Sequence, residues 1–199
     1  MKNQARVVVV GGGVVGVATL YQLARMGWTD VVLLERNELT SGSTWHAAGL
    51  LPLFNMSYSV GQVHKHSVAL YKELETETGQ AVGFSQVSNI RLATNWDRMD
   101  EYHQYAGVAR TIGIEVNFLK PEEVKEIWPL CNIDGLVGAI QHPGDGYIQP
   151  ADLTQALAIG ARNRGAEIKR GITVEGFEWQ PSGEWLVKSD QGDIRCEHV

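Results

Sequence analysis

Val7-Val8-Val9-Val10 runs directly into Gly11-Gly12-Gly13-Val14-Val15-Gly16, and no other junction in the chain restricts its fold as strongly. A buried strand that ends in G-x-G-x-x-G and continues into a helix opens a βαβ unit that binds a dinucleotide. Gly11 allows the tight turn, Gly13 lets the backbone approach a pyrophosphate, and Gly16 lets the helix lie close to the sheet. The helix start at Val14 and Val15 offers unpaired N–H groups and partial positive charge to phosphates. Glycine clusters also make ordinary turns, so the surroundings decide. Gly16, Leu20, Leu23 and Gly27 follow at helical spacing. A second apolar run, Val31-Val32-Leu33-Leu34, ends in Glu35, about 19 residues beyond Gly16, where a ribose-binding carboxylate belongs. A glycine-rich turn with no ligand accounts for none of this.

Composition narrows the remaining classes. At 44% hydrophobic and 20% charged, the 199 residues have an ordinary globular make-up, enough for one large domain or two small ones. A formal charge of −6 with no Lys/Arg cluster argues against a nucleic-acid partner. No apolar run approaches the roughly 18–20 residues of a membrane span. The first strand begins near Arg6, so no signal peptide is expected. Cys131 and Cys196 lie far apart without C-x-x-C spacing. They read as two reduced thiols of a cytoplasmic-type compartment, with no metal site. No internal repeat or low-complexity linker is present.

The pattern beyond Glu35 mixes two kinds of layer. After a polar, small-residue loop, helical periodicity covers residues 59–77, with Val60, Val63, Ser67, Leu70, Tyr71 and Leu74 on one face. Gly79 stops it. Strands are expected at 84–86, 90–94, 115–119 and 136–141, with a helix over 97–112 carrying Met99, Tyr102, Ala106 and Ala109. Pro121-Glu122-Glu123 and Pro150 mark helix starts, the second helix running to Arg164. Short strands follow at 166–169, 174–179, 184–188 and 193–196, separated by the turns at 180–183 and 190–192. The expected fold is α/β: a Rossmann-like cofactor domain at 1–79 and 149–199, interrupted at 80–148 by part of an α+β substrate domain. A doubly wound sheet needs more than the three or four parallel strands readable here. The expectation is therefore a truncated, N-terminal portion of a longer protein, without turnover as an isolated piece.

The loop after Glu35 separates a nicotinamide cofactor from a flavin. From Arg36 it runs to Gly42-Ser43-Thr44-Trp45-His46-Ala47-Ala48-Gly49-Leu50. Its glycines and hydroxyls can run close to a phosphate. The 11 residues from Glu35 to His46 reach at most roughly 36–40 Å, enough to pass from the ribose end of a dinucleotide to an isoalloxazine. A nicotinamide enzyme has no reason to carry such a segment, so FAD is the expected cofactor.

The segment Leu39-Thr40-Ser41-Gly42-Ser43-Thr44-Trp45-His46-Ala47-Ala48-Gly49-Leu50 resembles the dimethylglycine dehydrogenase family. This is a branch of the D-amino-acid-oxidase-like flavoproteins that also holds sarcosine dehydrogenase. The likeness continues through Glu75-Thr76-Glu77-Thr78-Gly79-Gln80, Ile90-Arg91-Leu92-Ala93-Thr94, His142-Pro143-Gly144-Asp145-Gly146, Leu153-Thr154 and Ala156-Leu157-Ala158. It covers essentially the whole chain. Ala47-Ala48 favours the dimethylglycine branch. Where the family usually has D-G-H-I-D-P, this chain has Asp145-Gly146-Tyr147-Ile148-Gln149-Pro150, losing a histidine and a carboxylate.

The resemblance implies a D-amino-acid-oxidase-type fold and FAD held covalently through the histidine at His46. On the residues alone, His46 reads equally well as a histidine that packs near the flavin. It also implies hydride transfer from an N-methyl carbon of dimethylglycine, with sarcosine dehydrogenase or oxidase as the neighbouring activity. A folate-binding region for tetrahydrofolate and an electron-transferring flavoprotein, or oxygen in oxidase relatives, belong to the full-length enzymes. By the same analogy the backbone at Val174 lies against adenine. A non-catalytic flavin-binding subunit or fragment is the reading of another class. No catalytic acid or base is assigned. His64 and His66 read as solvated, His142 as a loop histidine, and Trp128, Trp179 and Trp185 as core or hairpin packing.

Overall fold

The computed structural model describes residues 2–199. In chain order its elements are β1 (Gln4–Val10), α1 (Val14–Arg25), β2 (Val31–Glu35), a 3-10 turn (Ser43–His46), β3 (Leu50–Leu51), α2 (Tyr58–Thr78), β4 (Ser85–Gln86), β5 (Asn89–Ala93), α3 (Trp96–Ile112) and β6 (Asn117–Leu119). Then come α4 (Pro121–Ile127), β7 (Gly138–His142), β8 (Gly146–Tyr147), α5 (Pro150–Asn163), β9 (Glu167–Arg170), β10 (Val174–Trp179), β11 (Trp185–Ser189) and β12 (Ile194–His198). Contacts divide the chain into two compact units, one of residues 1–48, 73–83 and 149–199, the other of 49–72 and 84–148.

The first unit is built on a six-stranded sheet ordered β10-β11-β12-β1-β2-β9. The unbroken apolar runs of β1 and β2 suit central parallel strands, which are covered on both faces. Four strands are parallel: β1 pairs with β12 on one side and β2 on the other, and β2 pairs with β9. β10 and β11 extend the sheet as an antiparallel meander onto β12. Val8, Val32, Leu34, Val187, Ile194 and Cys196 form one buried cluster of this unit. On α1 and α5, Gly160 permits a close crossing, since a Cβ there would sit 2.7 Å from the Tyr21 ring. The Tyr21 hydroxyl donates to Glu77 at 2.8 Å and Arg164 pairs with the same carboxylate at 2.6 Å, tying α1, the end of α2 and α5 together.

The second unit holds an antiparallel sheet ordered β5-β7-β6 and a smaller one ordered β3-β8-β4. Met99, Tyr102, Tyr105, Ala109 and Ile112 of α3 pack on one face with Val68, Leu53 and Ile140. Val124 of α4 packs on the other with Cys131, Ala139, Ile90 and Leu92. α3 starts on Asn95, whose side chain accepts from Arg98 N at 2.8 Å, and ends on Gly113 at φ 78°.

One expectation for α2 needs correction. Val60 and Val63 are exposed, and Gly61 and His64 turn inward in their place. A Cβ at Gly61 would collide with Ile112, so the glycine is what lets α2 approach α3. In addition, residues 49–72 cluster with the second unit, whereas the sequence pattern carries the cofactor part unbroken to 79. The cause is pairing of β3 with β8 and burial of Val68 against α3.

Candidate cofactor site

The chain turns at Gly11, whose φ of 108° is in the region that favours glycine. Its N–H stays in the sheet, donating to Leu34 O at 2.9 Å. At Gly16 a Cβ would overlap the carbonyl oxygen of Gly11 and come within 3.6 Å of Val9 on β1. The third glycine thus seats the first turn of α1 on the loop itself. Gly12, which the motif counts as variable, is also crowded, since a Cβ would come within 2.6 Å of the Leu39 side chain and 2.9 Å of the Glu35 side chain. Its carbonyl accepts from Thr40 N at 3.0 Å, with Thr40 at φ 70°.

Glu35 ends β2 beside this loop. One carboxylate oxygen accepts from Gly12 N at 2.6 Å and the other from Asn37 N at 2.7 Å. The side chain is therefore held in one orientation by two backbone donors, with lone pairs left for a diol. Val14 N donates to the Thr44 hydroxyl at 2.9 Å.

Two cavities meet at Gly11, Glu35 and Arg36. One, of about 330 Å³, is lined by Gly11, Gly12, Gly13, Val14, Val15, Glu35, Arg36, Asn37, Ser41, Gly42, Ser43 and Thr44. The other, of about 260 Å³, runs past Val10, Leu34, Ile172, Thr173 and Val174. Val174, Gly11 and Glu35 thus line the same cavity. This cradle, with a helix N-terminus aimed along it and a fixed carboxylate at its middle, fits a pyrophosphate flanked by a nucleoside.

Trp45 and His46 close the 3-10 turn with their rings 4.2 Å apart at 45°. Both are exposed. His46 Nδ1 lies 3.1 Å from Gly42 O. A carbonyl only accepts, so Nδ1 is the donor in this contact, and in the neutral ring Nε2 is then the nitrogen that carries a lone pair. Gly49 and Leu50 belong to the second unit. Gly49 O accepts from Ile148 N at 2.9 Å, and Leu50, 67% exposed, pairs with Tyr147. Asn37, Ser41, Ile172 and Thr173 are lining residues the sequence pattern does not single out, and Gly12 is signalled only by the uninterrupted glycine run.

Two histidines differ from expectation. His142 is fully buried at the end of β7, against Phe54 and Tyr105 with ring centroids 5.8 and 5.3 Å away. Burial, with the Arg91 charge, lowers its pKa to about 4. His64 is half-buried, and its Nδ1 has no hydrogen-bond partner. Asp145 is also buried. Burial raises its pKa to about 6, opposed by the Leu53 N–H it accepts at 2.9 Å and by the charges of Arg91 and His64. Trp128 and Trp179 are about half exposed rather than core, and Trp179 pairs with Trp185 across the β10–β11 hairpin. Among the described residues, no cluster of metal-ligating side chains occurs. Nor is any helix among the described residues long and apolar enough to cross a membrane.

A mixed sheet with a parallel βαβ unit at its centre, a glycine cradle under a helix N-terminus and a carboxylate at the end of β2 has the geometry of a dinucleotide-binding domain. The family profile described as FAD dependent oxidoreductase (DAO) matches residues 6–199, and the chain belongs to that family. Rat mitochondrial dimethylglycine dehydrogenase is 43% identical over 198 residues, which is 100% of this chain and 23% of the relative. Human mitochondrial sarcosine dehydrogenase is 40% identical, over 89% of this chain and 19% of the relative. The mouse mitochondrial pyruvate dehydrogenase phosphatase regulatory subunit is 35% identical, over 98% and 22%. The crystal structure of L-proline dehydrogenase from P. horikoshii superposes with a TM-score of 0.92 at 28% identity, covering 100% of this chain and 53% of that one. The chain thus spans about a fifth to a quarter of the length of the dimethylglycine and sarcosine dehydrogenases it matches, and the cofactor its family serves is FAD.

Proposed function

We propose that this chain is the FAD-binding portion of an enzyme that oxidises an N-methylated amino acid, with dimethylglycine as the first choice of substrate. The observation that carries this reading is 43% identity, along the whole chain, to a protein named for dimethylglycine. Similarity to a sarcosine dehydrogenase supports the same substrate class and makes sarcosine the neighbouring choice. The chemistry FAD supplies when bound is acceptance of a hydride from an N-methyl carbon of the neutral amine, which becomes an iminium.

The chain's own residues hold and orient the cofactor. Glu35 takes the adenosine ribose, the Gly11 to Gly16 loop and the start of α1 take the pyrophosphate, and Val174 lies beside the adenine. His46, with Nδ1 committed to Gly42 O, offers Nε2 as the atom for a covalent tether to the flavin. An electron-transferring flavoprotein as electron acceptor, a tetrahydrofolate site elsewhere in the full-length protein, and a cytoplasmic or mitochondrial-matrix location complete the proposal.

The test uses the intact natural protein. After denaturing electrophoresis its band fluoresces under ultraviolet light and that of His46→Ala does not; a fluorescent His46→Ala band would show that the tether is elsewhere. Anaerobic mixing with dimethylglycine or with sarcosine bleaches the flavin absorbance, faster with the true substrate. A second reading, a flavin-binding subunit without turnover, is favoured by the likeness to a regulatory subunit. It predicts bound flavin that neither amine reduces.

A further inference from the structure

The first turn of α1 has no capping side chain of its own, because its N-cap is Gly13. The first intrahelical bond runs from Val17 N to Gly13 O at 3.0 Å. The N–H groups of Val14, Val15 and Gly16 therefore have no carbonyl one turn back. Thr44, 30 residues further along the chain, takes one of them: its hydroxyl oxygen accepts from Val14 N at 2.9 Å. Thr44 is 7% exposed, although Ser43 and Trp45 on either side of it are exposed. The approach depends on glycine, since a Cβ at Gly13 would lie 3.0 Å from Thr44 Oγ1. The second glycine of the fingerprint thus makes room for a protein oxygen as well as for a phosphate.

Resting on the reading of this site as one for FAD, we propose that Thr44 is a positioning residue. Its hydroxyl caps α1 and so fixes the 3-10 turn carrying His46 against the glycine loop. The oxygen accepts from Val14 N, which removes that N–H from the donors available to phosphate and leaves the hydroxyl's own proton free. Thr44 and His46 share one four-residue turn, and His46 Nδ1 is bound within it to Gly42 O at 3.1 Å. The place of the imidazole therefore follows from the place of the turn. α5 also rests against this turn, so losing the Thr44 bond loosens the turn without releasing it.

The experiment compares the intact protein with Thr44→Ser, which keeps the oxygen, and Thr44→Val, which keeps the shape without it. Apoprotein made under riboflavin limitation is titrated with FAD and with ADP, which shares the adenosine and pyrophosphate but has no isoalloxazine. Deuterium exchange is followed in peptides spanning Val14. Thr44→Val is expected to weaken FAD binding about tenfold and ADP binding less than about twofold, and to speed exchange at Val14 about tenfold. Thr44→Ser stays close to the unmodified protein in all three. Equal losses for FAD and ADP would make the hydroxyl a pyrophosphate contact, and unchanged exchange at Val14 would mean that there is no cap; either overturns the proposal. If Thr44→Val does not fold, Thr44→Ser decides: weakened FAD binding with unchanged Val14 exchange refutes the positioning role. An unmodified protein that binds no FAD removes the reading of the site, and this role for Thr44 with it.

Discussion

Asp145 and His142 sit in the same buried region of the second unit and respond to pH in opposite directions, which makes a substitution there unusually diagnostic. Asp145 is raised from an ordinary 3.8 to about 6. Its folded form holds the proton more tightly than the unfolded chain does, so stability falls as pH rises from about 3.8 to about 6. At roughly 1.4 kcal/mol per pK unit, the loss is about 3 kcal/mol. His142 is lowered from 6.5 to about 4, and its folded form resists protonation. Stability from this group is therefore lost as pH falls from 6.5 to about 4, again by about 3 kcal/mol. Arg91, His64 and Tyr105 face the pair but do not change these signs. In the unmodified protein the two slopes nearly cancel. Asp145→Asn keeps an oxygen for Leu53 N and removes one slope, so stability should climb with pH across this interval. His142→Phe removes the other and should make it decline. Urea midpoints measured at half-unit steps from pH 4 to 6.5 would show this. An Asp145→Asn profile as flat as that of the unmodified protein would refute the reasoning.

Two further outcomes follow from the cofactor site. Glu35→Ala removes both carboxylate contacts and should weaken FAD association by roughly 1.5–3 kcal/mol, read from the equilibrium binding constant; unchanged affinity would count against the ribose assignment. Gly16→Ala drives a methyl group into the Gly11 carbonyl, so FAD affinity and the melting temperature should fall together. A variant that binds and melts normally would contradict the close approach described.

The elements that fix the cofactor site are local, and they are legible because of it. The valine run, the glycine spacing and the acidic residue at the end of β2 are set by the geometry of one βαβ unit, which leaves a fixed sequence interval. Val174 needed an analogy to related folds, since its place in the same cavity as Glu35 depends on parts of the chain far apart in sequence. The misread residues owe their environment to distant packing. His142-Pro143-Gly144 looks like a solvent loop, yet Phe54 and Tyr105 close over the histidine from remote parts of the chain. On α2, apolar spacing placed Val60 and Val63 inward, but a glycine at 61 sets the closer approach to α3. Periodicity sees apolar side chains and is blind to the absence of one.

The pairing of β12 with β1 also has a consequence in time. β1 gains β2 after a short crossover, but its other edge waits for residues beyond 190. At the roughly 5–20 residues per second of synthesis, that edge stays open on the order of ten to forty seconds. Throughout that interval an apolar, hydrogen-bond-hungry strand is available to any neighbouring chain. A newly made molecule is thus far more vulnerable to mispairing than the finished one, and its yield in a cell depends on what shields β1 until β12 emerges.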